Sequence, residues 1–306
     1  MSKVAVIIAT RNRCSLLPRA VESARSAGVD VEIVVVDDAS SDQTGQVCKR
    51  WPDVRYHRAK RQLGPGGVRN VGLLLTKAPY ITFLDDDDAR LEGSLDAQID
   101  VLERHPEAGF IYGKVLYGDE ETRPKGGFYP EHCPEGDLFW ELLKSNFVPC
   151  PTVVFRRECL KRVGLLDEDA PGVEDWDLWV RIAELYPVVA IDQTVAIWRQ
   201  GRPGSNQFTS HAERLHHEAN RLHREKWLRL PRVASSDRSR RRKVARAFAA
   251  RASQQLVWTA VDQWREGQRW PAARVALTGT RMYPLGTSKC LLSLFGFRSS
   301  MRSVEH

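Results

Sequence analysis

The sequence predicts an α/β fold with a basic helical region appended at its C-terminal end. Three observations carry this. Apolar runs of strand length alternate with amphipathic helical stripes up to about residue 200. Beyond Arg202 that alternation gives way to long helical periodicities. The charge divides at the same place: residues 202 to 306 hold 21 of the 46 Lys and Arg and 7 of the 39 Asp and Glu, a net +14, against −7 for residues 1 to 201.

Lys3 to Ala9 is continuous and β-branched, a buried strand, and Cys14 to Ala27 carries Leu16, Leu17, Ala20, Val21 and Ala24 on one helical stripe that Gly28 ends. Val31 to Val36 is a second apolar strand. Two such strands bracketing a helix mark a right-handed βαβ unit in a parallel sheet. A helix over Asp42 to Arg50, a short strand at Val54 to Tyr56, a helix over Val68 to Thr76 and a third strong strand at Tyr80 to Leu84 continue the pattern. Next come a helix near Leu95 to Arg104, a strand near Phe110 to Tyr117 and a loop from Gly118 to Gly136. A helix over Asp137 to Ser145, a strand at Val153 to Phe155, a helix over Glu174 to Leu185 and short strands within Val188 to Trp198 complete this part. The helical patterns that follow are Thr209 to Trp227, Val244 to Gln263, Pro271 to Arg281 and Gly286 to Phe295, with residues 231 to 243 read as an exposed connection. The expected division is therefore a domain over residues 1–202, in halves of about 1–90 and 91–202, and a basic helical region over 203–306.

A chain of 306 residues with 42% hydrophobic and 28% charged residues buries a core without staples and is not disordered. Its six cysteines include no CxxC pair, which argues against a closed zinc site and for a reducing cytoplasm. The apolar run after Met1 is too short for a signal-peptide core, and no stretch reaches the roughly 20 apolar residues that span a bilayer.

In open α/β sheets ligands bind outside the carboxyl ends of the strands, so polar residues directly after strands are the candidates. Thr10, Arg11, Asn12 and Arg13 follow the first strand, and Asp37 and Asp38 the second. Gly64-Pro65-Gly66-Gly67-Val68-Arg69-Asn70 precedes a helix, and Asp85, Asp86, Asp87 and Asp88 follow the third strong strand. Together they offer a carboxylate for a base N–H, a glycine-rich loop, a guanidinium for phosphate and paired carboxylates for a hard cation. At the start of a later helix, Glu174, Asp175 and Asp177 read either as capping acids or as a general base. Trp176 and Trp179, three apart, favour a core face. His211, His216, His217 and His223 are interleaved with Glu213 and Glu218 and read as a solvated face.

In this order the motifs resemble the family 2-type inverting nucleotide-sugar glycosyltransferases of the GT-A fold: Thr-Arg-Asn, Val-Val-Asp-Asp-Ala-Ser, Gly-Pro-Gly-Gly-Val-Arg-Asn-Val-Gly, Phe-Leu-Asp-Asp-Asp-Asp and Glu174-Asp175-Trp176-Asp177-Leu178-Trp179. The resemblance covers residues 3 to 200 and implies a Rossmann-like mixed sheet flanked by helices. It implies a nucleotide-sugar donor, UDP-sugar favoured, and a glycan or lipid-linked glycan acceptor. Thr10, Arg11, Asp38 (alternate Asp37), Arg69, Asp85 and Asp86 would bind donor, and Asp85 and Asp87 would hold Mn²⁺ or Mg²⁺. Asp175 would be the base, with Glu174 and Asp177 as alternates, and Trp176 a wall of the acceptor pocket. The family's His in the loop after the last strands is missing here, where Trp198 to Ser205 leaves Arg199 and Arg202 as candidate phosphate contacts.

Two rivals have less support. A sugar-nucleotide nucleotidyltransferase needs a longer Gly-rich loop after the first strand, and nucleic-acid binding through Arg238, Arg240, Arg241, Arg242 and Lys243 lacks interleaved aromatics. No nucleic-acid partner is expected. The basic helix beginning near Val244 instead suggests packing or reversible attachment to an anionic inner membrane face by a cytoplasmic enzyme.

Overall fold

Val4–Thr10 forms β1, and every residue in it except Ala9 is buried, as an unbroken β-branched run requires of a central strand. The computed structural model describes residues 2–200, 212–284 and Thr287. It divides into two units, Met1–Leu142 with Asn146–Ser205 and Leu143–Ser145 with Asn206–His306.

In the first unit, β1 is followed by α1 (Leu17–Ser26), β2 (Val31–Asp37), α2 (Thr44–Cys48), β3 (Arg55–Arg58), α3 (Gly64–Leu75) and β4 (Tyr80–Asp85). The rest is β5 (Ala89–Arg90), α4 (Ser94–Arg104), β6 (Phe110–Gly118), β7 (Pro124–Tyr129), α5 (Phe139–Leu142), β8 (Val154–Arg156), α6 (Leu160–Val163), α7 (Glu174–Leu185) and β9 (Val188–Arg199). The strands form one sheet in the order β3-β2-β1-β4-β8-β6-β9-β5, with β7 paired to β6. β3, β2, β1 and β4 are parallel, while β8 runs antiparallel to both β4 and β6, which makes the sheet mixed.

Strand alternation assigns the two faces. Val4, Val6 and Ile8 pack with Leu17, Ala20, Val21 and Ala24 of α1 and with Leu95, Ile99 and Leu102 of α4. Each Val, Leu or Ile among them contributes about 1.5–3 kcal/mol on burial. On the other face Ile7 meets α3 so closely that a Cβ at Gly72 would lie 2.3 Å from Ile7 Cγ2. Trp179 of α7 packs there with Phe83, Phe110 and Phe155, ring centroids 5.5 to 6.3 Å apart.

Several expectations shift. The Gly64–Gly67 stretch is the first turn of α3 rather than a loop, with Pro65 where no intrahelical N–H is needed. β7 lies inside the expected loop; it is exposed along nearly its whole length, so no apolar alternation announced it. The expected helix over Asp137 to Ser145 shrinks to Phe139–Leu142, and the expected short strands merge into β9.

The second unit holds α8 (Ala212–Glu225), a 3₁₀ turn (Trp227–Arg229), α9 (Pro231–Ala234), α10 (Arg238–Arg265) and α11 (Arg269–Met282). Residues 231 to 243 are thus not simply an exposed connection. They include α9 with buried Val233, and Asp237 caps α10 by accepting the Arg240 N–H at 2.8 Å. The histidine reading is also corrected: His223 is buried, stacked on Phe248 at 4.0 Å and set edge-on to Trp227, and burial lowers it to about 4. His211 and the expected helix ends at Thr209 and over Gly286 to Phe295, apart from Thr287, lie outside the described residues.

Candidate active site

Register brings the strand ends together. Thr10 pairs with Asp37 and Ala9 with Asp85, so the segments after β1, β2 and β4 leave the sheet side by side. Side-chain bonds then stitch them: the Asn12 N–H donates to Ser40 Oγ at 2.9 Å, and Asn12 Oδ1 accepts from the Ser41 N–H at 2.7 Å. Asn12 and Ala39 adopt φ of 52° and 55°, a backbone cost characteristic of ligand-shaping turns. Asp37 is fully buried, and its carboxylate accepts the Ser40 N–H at 2.8 Å and the Tyr56 hydroxyl at 2.7 Å. It is a brace, which leaves Asp38 at the rim. Asp38 accepts the Leu63 and Gly64 N–H groups at 2.6 and 3.1 Å and so fixes the entry to α3. Gly66 there meets Asp167 O, 3.0 Å from where a Cβ would sit, so this glycine serves helix packing. Arg11 is exposed on the same rim.

The aspartate run is ringed by arginines. Arg13 Nη1 lies 2.7 Å from Asp86 and 3.1 Å from Asp87, and Arg199 Nη1 lies 3.3 Å from Asp87. The Arg199 N–H donates to Asp88 at 2.9 Å. Asp86, Asp87 and Asp88 are buried, whereas the Asp85 side chain is 42% exposed and thus open to a ligand. Burial pushes Asp86 up to about 6, reinforced by Asp87 and opposed by Arg13. Burial, then Asp87 and Asp85, hold Asp88 well above the ordinary carboxylate range. The sequence offered Arg13 only as one of the polar residues after the first strand, with no role, and Arg199 as a contact for donor phosphate; both guanidiniums face the carboxylates. Arg202 lies outside the described residues.

Arg69 links the two halves of the site. Its buried guanidinium reaches Asp85 through Nη2 and Glu174 through Nη1, both at 2.6 Å, and lies over the Phe83 ring. Glu174 also accepts the Gly172 N–H. Burial raises Glu174 to about 7 against the pull of Arg69. Asp175, partly exposed, accepts the Trp176 N–H at 2.7 Å, and burial raises its pKa against Arg69, with Asp85 adding to the rise. Asp177 is engaged within α7 by Arg181, two contacts at 2.8 Å, and Arg181 in turn donates to Val163 O and Leu165 O, which ties α7 to the chain before it. Trp176 donates its indole N–H to Leu142 O at 2.8 Å, and Trp179 is core.

Cys150 is the residue the sequence did not flag. It opens a 3₁₀ turn held from behind by Arg90, which donates to Pro151 O, and by Gln98, which donates to Thr152 O. Its thiol sits in the field of Arg69, Asp175, Asp85 and Glu174, and burial holds it well above the usual thiol range. Among the described residues no three His, Cys, Asp or Glu side chains gather as a preformed metal cage.

Residues 5–164 match the family described as Glycosyl transferase family 2, more than half of the chain. The chain belongs to that family. An uncharacterized glycosyltransferase of Rickettsia felis is 28% identical to this family 2 chain over 217 residues, 68% of the chain and 34% of the relative. The chain thus spans about a third of that relative's length. The Escherichia coli UDP-Glc:alpha-D-GlcNAc-diphosphoundecaprenol beta-1,3-glucosyltransferase WfaP is 30% identical over 185 residues, 60% of this chain and 70% of the relative. Among solved structures, the mannosyltransferase PcManGT of Pyrobaculum calidifontis, in complex with GDP-Man and Mn²⁺, aligns with a TM-score of 0.57 at 16% identity, over 96% of this chain and 80% of that one. The fold of this family 2 member is GT-A, a mixed sheet with flanking helices and a helical C-terminal region.

Proposed function

We propose that this chain transfers a sugar from a nucleoside diphosphate donor, preferably a UDP-sugar, to a hydroxyl of a glycan or lipid-linked glycan, with inversion at the anomeric carbon. Residues 1–202 serve as the catalytic domain and 203–306 as an appended basic region. The observation that carries the reading is the Arg69 bridge, because one buried guanidinium joins the donor-side Asp85 to Glu174, the neighbour of Asp175. The two ends of a displacement reaction are thereby held by one group.

Asp38 and Thr10 shape the base pocket, with Asp38 already positioning the backbone at Leu63 and Gly64. Arg11, exposed on the rim, and Asp86 serve the donor with them. Asp175 takes the proton of the attacking hydroxyl, and burial, which raises its pKa against the pull of Arg69, makes it a stronger proton acceptor than an ordinary aspartate. Glu174 and Asp177, the alternates, are engaged with Arg69 and Arg181. Trp176 forms a wall for the acceptor. Asp85 and Asp87 would hold Mn²⁺ or Mg²⁺ jointly with the donor's diphosphate. The crowded run fits a cation, because burial and neighbouring carboxylates hold Asp86 and Asp88 above their ordinary range. A bound cation there offsets charge on the departing diphosphate.

The acceptor class is supported by the E. coli relative, a glucosyltransferase named for a diphosphoundecaprenol-linked sugar acceptor. No described helix is long and apolar enough to cross a membrane, so attachment through Arg240, Arg241, Arg242 and Lys243 at an anionic cytoplasmic leaflet is the corresponding proposal. The test is a screen of UDP-, dTDP- and GDP-sugars for nucleoside diphosphate release, with and without Mn²⁺ and with a lipid-linked sugar acceptor. Acceptor-stimulated release from UDP-sugars is expected; release from no nucleotide sugar under any condition sinks the reading.

A further inference from the structure

Three of the nine tryptophans are exposed, and all three lie on the α10–α11 hairpin: Trp258 at 44%, Trp264 at 59% and Trp270 at 88%. Trp264 closes α10 and Trp270 opens α11, on either side of a turn in which Gly267 takes a φ of 82°. The reversal places both indoles at the hairpin tip. The same unit buries other aromatics, Trp227, Phe248 and Tyr283, so its interior accepts such rings and the tip leaves its own outside.

The surroundings of these indoles indicate what covers them. Residues 238–282 hold eleven Lys and Arg and two acidic residues, a net charge of +9. Both acids lie near the tip and are met locally, Asp262 by Arg265 at 3.6 Å and Glu266 by Gln268 at 3.1 Å. Arg269 lies over the Trp264 ring at 5.7 Å, and α11 carries Arg269, Arg274 and Arg281 with no acid of its own, Arg274 being met by Glu213 of α8 at 2.7 Å. A protein-binding patch concentrates apolar surface and depletes charge at its centre. Here the large apolar groups exposed on the hairpin are the three indoles and Leu277, set among guanidiniums, the composition that suits a headgroup layer, where the ring body is buried shallowly, the N–H stays wet and arginine pairs with phosphate.

We propose that the α10–α11 tip is a membrane-interface anchor: Trp264 and Trp270 enter the headgroup layer of an anionic phospholipid bilayer, and Arg265 and Arg269 pair with lipid phosphates. The anchor deepens the membrane partner of the proposed function and rests on that reading for its purpose. It differs from the Arg240–Lys243 cluster in kind, since that cluster contributes salt-screened attraction and the tip contributes insertion.

The experiment uses the full chain with vesicles of phosphatidylcholine, with and without phosphatidylglycerol, and with lipids brominated near the headgroup. The wild type should co-sediment with the phosphatidylglycerol vesicles, and its tryptophan emission should shift to the blue and be quenched by the brominated lipid. The Trp264→Ala/Trp270→Ala protein should keep its circular dichroism and lose partitioning by about tenfold or more, while the Trp264→Phe/Trp270→Phe protein retains most of it. Absent wild-type binding, equal partitioning and quenching in the alanine protein, or a blue shift that follows protein concentration without lipid would each overturn the anchor; the last would assign the tip to a second copy of the chain. Sugar transfer to a soluble acceptor is followed in the same preparations. Transfer without vesicle binding defeats the anchor alone, and vesicle binding without any transfer supports the anchor and defeats the proposed function alone.

Discussion

Replacing Arg69 by Met tests the bridge on which the site is built. The substitution keeps length and apolar bulk over Phe83 but leaves Glu174, 2% exposed, without its counter-charge. Breaking a buried pair by removing one partner costs about 3–5 kcal/mol. The Asp85 contact adds little, because that side chain is 42% exposed and solvent screens it. Glu174 already titrates near 7, so it can take up a proton and limit the loss, which places the cost near the lower end, about 3 kcal/mol. For a unit of this size 1 kcal/mol moves Tm by about 2–4 °C, giving a fall of roughly 6–12 °C. Thermal melts followed by circular dichroism should show a larger fall at about pH 8 than at about pH 6, and adding Glu174→Gln should recover part of it. A Tm change under about 2 °C at the higher pH, or strict additivity with Glu174→Gln, would refute the bridge.

Asp175→Asn should keep the fold and donor affinity but lower kcat by about 10²-fold or more, as steady-state kinetics and UDP calorimetry would show together. Because the carboxyl of Asp175 is held above its ordinary value, the acid limb of kcat/KM should lie above the usual aspartate range, with activity falling as pH drops through it; a limb within that range contradicts the assignment. Glu174 is raised from 4.5 to about 7, so the folded state holds the extra proton between those values. Its stabilising contribution is therefore present below about pH 4.5 and lost as pH rises through about 7, a slope that Glu174→Gln should abolish in melts across that window. Gly72→Ala would place a Cβ 2.3 Å from Ile7 Cγ2 and should destabilise the sheet by about 1–3 kcal/mol in urea unfolding.

What the sequence made legible follows from how each feature is encoded. Val4 to Ala9 and Tyr80 to Leu84 are buried along nearly their whole lengths and Val31 to Val36 from Ile33 onward, so burial wrote itself into apolar runs, and the helix from Glu174 to Leu185 was read with its observed bounds. β7 was hidden because an exposed edge strand leaves no such mark. Within the site, Asp38, Asp85 and Asp175 follow strands or open a helix and could be picked out by position. Arg13 and Arg199 could be named by position too, but not their partners, since those contacts form only when the chain folds: Arg13 meets Asp86 across 73 positions and Arg199 meets Asp88 across 111. Cys150 carried no positional signal. The one available signal for Arg13 was its place among the polar residues after β1. His223 misled for the opposite reason, as acidic neighbours in sequence suggested solvent while its own side chain turned inward onto Phe248.

The anomeric configuration of the product tests the central claim most directly. With an α-linked UDP-sugar, a lipid-linked acceptor and Mn²⁺, proton NMR of the newly formed linkage should show the β configuration with the wild-type protein, and the same signal should build up more slowly, by about 10²-fold or more, with Asp175→Asn. A product that keeps the donor's α configuration would contradict single displacement with Asp175 as the base.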